Sequence, residues 1–299
     1  MPSNARCRKA IPKALYMPLH AHISNRLYSY SMQKPVKCNK LNYGNFRGEP
    51  LKPYSVFAKY YDALTANVNY HSRAAYFRTL INRHNTSHNN ILLDLGCGTG
   101  SLARLMAECG YDVIGVDNSC DMLNIAMSNH SHNPASNVQY ICQDMRNLDL
   151  FGTVGITLCA LDSINHLPSL KDIERVFNRV KLFTESGGVF IFDVNTVYKH
   201  NHILSDNVFI YETDDVYCIW ENSLNKINNA VDINLTFFER EGELYRRYHE
   251  NFTEHAYEFD EISAILKNVG FTVAACYDAD KFDSPHEKSE RIVIVAKKG

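Results

Sequence analysis

The sequence predicts an α/β domain whose central sheet is seven-stranded, mostly parallel and covered by helices on both faces. Three observations predict it. From residue 91 onward, short apolar runs alternate with stretches of helical periodicity. A glycine-rich turn follows the first of those runs, and two further strand-like runs close the chain. A segment of different character, at about 200–256, interrupts the alternation and reads as a small antiparallel β insertion after the fifth strand.

The elements follow in order. Val56, Phe57, Tyr60, Tyr61 and Leu64 fall at helical spacing, and a second helix is expected over about 71–84. Residues 91–95 form the first strand. Residues 101–109 form a helix with Leu102, Leu105 and Met106 on one face and Gly110 at its end. Strands are expected at 112–117, 138–142, 155–160 and 189–193, with helices at 119–130 and 169–184 between them. The fifth strand is preceded by a turn at Ser186-Gly187-Gly188. Inside the insertion, 208–220, 230–238 and 244–255 alternate like antiparallel strands, with turns at Asn228-Asn229 and Glu241-Gly242. A helix at 259–269 ends at Gly270, and strands at 271–277 and 291–296 finish the sheet. The domain therefore spans 51–199 and 257–299. The insertion, 200–256, is read as a substrate lid or a homodimer interface.

Composition narrows the function classes. The chain has 299 residues, 45% of them hydrophobic and 21% charged, as in a globular protein with one sizeable core. No apolar run reaches the length of a spanning helix and no secretory signal is read, so the expectation is a cytoplasmic protein without a membrane partner. The nine cysteines are scattered and form no C-x-x-C, which argues against zinc or any other metal and for free thiols. Residues 1–48 hold nine Lys or Arg and no acid, whereas the rest holds 22 basic and 33 acidic residues. An acidic body does not suggest a long nucleic-acid groove. The arm, residues 1–50, is read as disordered; contact with RNA or an acidic surface, a targeting role or an upstream segment before a start at Met32 stay open.

The most informative segment is Asp94-Leu95-Gly96-Cys97-Gly98-Thr99-Gly100, between a strand and a helix. Glycines there let the backbone turn tightly and approach a ligand. A dinucleotide fingerprint fails from Gly96, whose sixth residue is Ser101; from Gly98 the sixth is Ala103, which that fingerprint tolerates. A phosphate-binding P-loop fails because no Lys follows. Charge favours a cation: Asp94 beside a pyrophosphate is repulsive, whereas beside an ammonium or sulfonium it is attractive. Asp117, ending the second strand, suits two ribose hydroxyls. Gln143-Asp144-Met145-Arg146, after the third, offers a polar acceptor for an adenine amino group and a thioether to pack on the ring. Strand ends in open parallel sheets converge on one crevice.

On these motifs the chain resembles the class I, Rossmann-like S-adenosylmethionine (SAM)-dependent methyltransferases. The matching segments are DLGCGTG at 94–100, GVDNSCDML at 115–123, CQDMRNL at 142–148 and VFIFDVNT at 189–196. YSVFAKYYDAL at 54–64 and CALDSINHL at 159–167 are similar to the small bacterial YqeM-like members. The resemblance covers about 54–299. The start of the fourth strand, Thr153 to Ile156, departs from the family pattern by lacking an acid after an aromatic.

The resemblance implies SAM as cofactor and S-adenosylhomocysteine as product. It implies that Asp94, Gly96 and Gly98, with Cys97 and Gly100 in the same loop, hold the methionine part. Asp117 then binds the ribose, with Asn118 and Met122 beside the adenosine and Asp144 and Met145 at the adenine. Asp162 lines the methyl-transfer cleft, and Tyr54 and Tyr61 close over the cofactor. His166 and Asp162 are the candidates for a catalytic role, and Asp193 and Asn195 are read as lining the substrate entrance or as a turn. The segment after the fourth strand lacks the Asn/Asp-Pro-Pro-Tyr of enzymes that methylate base amines. The expected acceptor is an N or O nucleophile on a small molecule, with RNA or protein as alternatives. An NAD-dependent oxidoreductase and a non-catalytic SAM-binding protein are the readings from other classes.

Overall fold

The computed structural model describes residues 53–131, 138–279 and 281–299; the basic arm lies outside them. Five apolar runs become the parallel strands β1 (Ile91–Leu95), β2 (Asp112–Asp117), β3 (Val138–Cys142), β4 (Val154–Cys159) and β5 (Thr184–Asn195). Two late strands, β10 (Phe271–Asp278) and β11 (Arg291–Lys298), complete one seven-stranded sheet in the order β10-β11-β5-β4-β1-β2-β3. β11 runs antiparallel to both neighbours and the rest of the sheet is parallel. Strand order reverses between β1 and β4, so a crevice opens at their carboxyl ends.

Helices cover both faces because successive residues on the central strands are apolar and point to opposite sides. On one side Phe190 and Phe192 of β5 stack with ring centres 4.6 Å apart, and Phe177 of α5 (Leu170–Phe183) meets both. α7 (Phe259–Val269) adds Ile262 and Leu266 to that core. On the other side Val189 and Ile191 pack with Phe77 and Leu80 of α2 (Tyr70–His84) and Met106 of α3 (Ser101–Glu108). α4 (Cys120–Ser131) links β2 to β3. Among the described residues no helix is long and apolar enough to cross a membrane.

The insertion forms a second, antiparallel sheet of β6 (Val208–Glu212), β7 (Val216–Asn225), β8 (Ala230–Glu241) and β9 (Leu244–His255), in that order. Its inward side chains, Val216, Cys218, Val231, Ile233, Leu235 and Phe237, pack on Phe57, Tyr60 and Leu64 of the first helix, α1 (Val56–Leu64). The helix that opens the domain is thus buried against a strand layer that follows it by some 150 residues.

Four local expectations change. The segment 208–220 is two strands, because Thr213 makes a tight turn whose N–H and hydroxyl bond Val216. The insertion opens with α6 (Val197–Lys199) and a π-helical turn at His200–Leu204, capped by Thr196, which the β-like pattern did not signal. β5 begins at Thr184, not 189, because Thr184 pairs with Val154; Gly187, at φ +78°, takes the irregularity inside the strand. Cys120 and Cys142 are disulfide-bonded, their Cα atoms 5.9 Å apart, whereas Cys97, Cys109, Cys159, Cys218 and Cys276 are free. The pairing of β3 with β2 sets Cys142 opposite Asp117, three residues before Cys120, a neighbourhood that linear spacing does not reveal.

Candidate active site at the carboxyl edge of the sheet

β1 delivers Asp94 opposite Gly115 and then turns sharply. Gly96, Gly98 and Gly100 all take positive φ. At Gly96 a Cβ would sit 2.6 Å from the Ser163 hydroxyl, so only glycine lets the loop lie against the turn after β4. At Gly98 a Cβ would meet nothing within 4 Å, so this backbone faces open space. The buried Cys97 thiol points toward Gly115 of β2, which leaves the loop backbone rather than the thiol for a ligand. Asp117 ties the loop to β2: its carboxylate accepts the N–H of Gly98 and the N–H of Ser119, both at 2.8 Å.

The residues expected at the adenine distribute unevenly. Met122 is buried and Asn118 is exposed. Met145 Cε lies 3.7 Å from where a Gly96 Cβ would be. Asp144 begins a 3₁₀ turn at Met145–Asn147 and its carboxylate is engaged by Arg146, with Nε 3.0 Å from both oxygens. Arg146 holds the Asp144 carboxyl below its usual range against the opposing effect of partial burial.

On the other side of the crevice a 3₁₀ turn at Ser163–His166 follows β4. Leu161 and Asp162 both adopt left-handed backbone, fixed by N–H bonds of 2.9 and 2.7 Å to the fully buried Asp193. Asp193 also accepts from Arg73 of α2 and Arg291 of β11, each at 2.9 Å. Asp162 in turn accepts from Arg291 at 2.8 Å and Asn195 at 2.7 Å. Burial pushes the Asp162 carboxyl up, but Arg291, Lys199 and His166 outweigh it and hold it below the ordinary range. Glu254 of β9 goes the other way, raised by burial and by the neighbouring Asp162 charge.

α1 roofs both halves. Thr99 of the glycine loop donates to Asp62 at 2.6 Å, and the Ser119 hydroxyl donates to the Tyr54 carbonyl at 3.3 Å. The Tyr54 hydroxyl lies 3.0 Å from His166 Nε2. Tyr54, itself at φ +62°, also stacks on Phe252 of β9. The structure therefore brings together Asp94, Asp117, the glycine loop, Tyr54, Asp162 and His166 along one edge.

A family model described as a methyltransferase domain matches residues 92–188. Over 82% of its length the chain is 30% identical to a protein of Geobacillus sp. (strain WCH70) designated a methyltransferase, covering 99% of it. It is 29% identical to YqeM of Bacillus subtilis (strain 168), likewise designated a methyltransferase, covering 97% of it. A crystal structure of a SAM-dependent methyltransferase from Clostridium acetobutylicum superposes with a TM-score of 0.74 at 31% identity, over 82% of this chain and 99% of that one. The sugar N-methyltransferase KedS8 of Streptoalloteichus shares the fold at a TM-score of 0.65 and 17% identity, over 89% of this chain and all of KedS8.

The chain is a SAM-dependent methyltransferase.

The residues of this methyltransferase fit its donor. Asp94 is 2% exposed, and its Oδ2 has no hydrogen-bond partner among the described residues. Burial first, and the Asp117 charge second, push its carboxyl up to about 7 despite an N–H from Ala103. A buried carboxylate with an unpartnered oxygen is stabilised by an arriving cation and destabilised by a phosphate. Burial likewise lifts Asp117, partly offset by the N–H bonds it accepts. Among the described residues no cluster of His, Cys, Asp or Glu has metal-binding geometry.

Four residues that contact the candidate site were missed by sequence reasoning. Asp62 sits on a helix whose polar face gave no sign of a partner. Arg291 lies 129 residues from Asp162 and reads as the start of a terminal strand. Glu250 and Glu254 were concealed in β9, though a signal existed: with Phe252 between them they share one side of a strand, and both are buried. Two acids on the inward face of a half-buried strand announce polar partners.

Proposed function

We propose that this methyltransferase carries a methyl group from SAM to a nitrogen or oxygen nucleophile on a small molecule held between α1, the turn after β4 and β9. The supporting observation is the roof: one continuous segment, Tyr54 and the helix α1 that follows it, reaches from the glycine loop, through Asp62 and Thr99, to the turn after β4, through Tyr54 and His166. A covered edge suits an acceptor that fits beneath it, in keeping with the sugar amines handled by KedS8. Asp94 and the Gly98 backbone hold the methionine end, and Asp117 receives the ribose hydroxyls with its remaining lone pairs.

The sulfonium of bound SAM supplies an activated methyl carbon and a ready leaving group. The protein's task is alignment and proton removal. Burial lowers the pKa of His166, so its ring is neutral near pH 7, and burial raises that of Tyr54, so its hydroxyl keeps its proton. Tyr54 donates to His166 Nε2, and its oxygen is free to accept from the nucleophile. The acceptor proton then passes to Tyr54 as the Tyr54 proton passes to His166, leaving an imidazolium beside the charged Asp162.

The test is incubation with methyl-labelled SAM and separate panels of small amines and alcohols, RNA, and protein. Label in a small-molecule product, reduced at least tenfold by His166→Ala, is expected. Label confined to RNA or protein overturns the reading.

A further inference from the structure

α1 is fastened at its first turn by a side chain from the insertion. Glu250 of β9 is 1% exposed. Its carboxylate accepts the N–H of Tyr54 at 2.8 Å, of Val56 at 2.5 Å and of Phe57 at 3.2 Å, and the Ser55 hydroxyl at 2.9 Å. Helix N-termini leave their first N–H groups without partners and carry a partial positive charge, so a buried carboxylate there is a strong fastening. Ser55, the residue before the helix, makes no capping bond of its own. The fastening is made across 193 to 196 residues of sequence, from a different sheet.

The same contacts set Tyr54. Its left-handed backbone is costly for a non-glycine residue and persists only where neighbours hold it. Glu250 holds its N–H, and Ser119 beside Asp117 holds its carbonyl. The far end of α1 is pinned to the glycine loop by Asp62 and Thr99. α1 thus lies across the donor site and is tied down at both ends.

We propose that Glu250 is the latch of a lid formed by α1: a positioning residue that controls how fast the nucleoside leaves, through Tyr54, rather than touching it. This rests on the SAM-binding reading of the crevice. With α1 down, the nucleoside under Asp62 and Tyr54 has no way past the roof. Lifting the first turn breaks four hydrogen bonds to one buried carboxylate, so the latch slows exit and entry alike. Because Glu250 belongs to the insertion, filling the acceptor side steadies the lid over the donor side.

Trp220 reports the movement. It is the chain's single tryptophan, on β7, with its ring 5.8 Å from Phe57 of α1 and 6.4 Å from Phe252. The test is stopped-flow release of S-adenosylhomocysteine, followed by Trp220 emission, in the full-length protein and in Glu250→Gln. The substitution keeps volume but turns an amide N–H₂ toward backbone N–H donors. Release about tenfold faster, with association accelerated as well and a red-shifted Trp220 spectrum, is expected from the loss of charge-assisted bonds. A residue serving stability alone lowers the thermal midpoint and leaves the release rate of the folded protein unchanged; that result overturns the latch. If Glu250→Gln does not fold, Ser55→Ala removes one of the four bonds, and release at least about twofold faster is required. An unmodified protein that takes up no S-adenosylhomocysteine refutes the donor-site reading itself, whereas tight uptake with unaltered release in both variants refutes only the latch.

Discussion

At the residue scale the proposed donor site turns on Asp94, a buried carboxylate at the end of β1 with one oxygen unpartnered among the described residues and a pKa pushed up to about 7. Its folded value lies above the unfolded value of about 4. It therefore favours the folded state most below that value, and the advantage fades as pH rises through about 7. A bound cation reverses the preference by stabilising the charged form. Affinity for SAM should therefore climb between pH 6 and 8, by up to about tenfold per unit on the acid side of the transition. Calorimetry across that range checks it, and a flat profile argues against Asp94 facing the ligand. Asp94→Asn removes the buried charge. The unliganded protein should melt higher at pH 8 while SAM binds at least about tenfold more weakly. Thermal unfolding with and without SAM reads both effects.

At the scale of elements, α1 and the four-stranded sheet share an apolar cluster separate from the two that sandwich the main sheet. Phe57 is its hub, in ring contact with Tyr54, Tyr61, Trp220, Phe237 and Phe252. Phe57→Ala should cost about 3–5 kcal/mol of local packing. Because the cluster is separate, the loss should appear first as a red-shifted Trp220 emission and proteolysis near α1, at denaturant concentrations where the far-ultraviolet spectrum is still native. Simultaneous loss of both signals would mean that lid and main sheet unfold as one unit.

This is also the scale at which sequence patterning reaches its limit. The parallel strands were legible because burial on both faces writes continuous apolar runs such as Leu92-Leu93 and Val189-Phe190-Ile191-Phe192. The glycine loop and Asp117 were legible because backbone turns and strand ends leave local signatures. The turn at Thr213 and the helical start of the insertion were not, since both are fixed by contacts outside their own windows. The β5 start at Thr184 was hidden for the same reason, its partner being Val154.

At the scale of the whole molecule, Asp193 joins parts distant in sequence. It binds Arg73 of α2, Arg291 of β11 and the two N–H groups that shape the turn after β4. Patterning left Asp193 either lining the substrate entrance or in a turn; it is fully buried near the end of β5 and accepts the N–H groups that shape the turn after β4. Its guanidinium partners could not be read from any local window. Asp193→Asn keeps the shape but leaves two arginines short of their counter-charge. A loss of about 3–5 kcal/mol is expected by chemical denaturation, and Asp193→Ala should be at least as harmful. A change under about 1 kcal/mol would mean that Asp162 alone satisfies Arg291.

The proposed donor site is anchored above all by Asp117, whose two oxygens accept the N–H groups of Gly98 in the loop and of Ser119. Titration of S-adenosylhomocysteine into the protein and into Asp117→Ala, at pH 8 by calorimetry, tests that most directly. One site should be filled in the parent. The variant should bind about a hundredfold more weakly, the loss expected for two hydrogen bonds to a carboxylate. No heat of binding in the parent, or equal affinity in the two proteins, would contradict it.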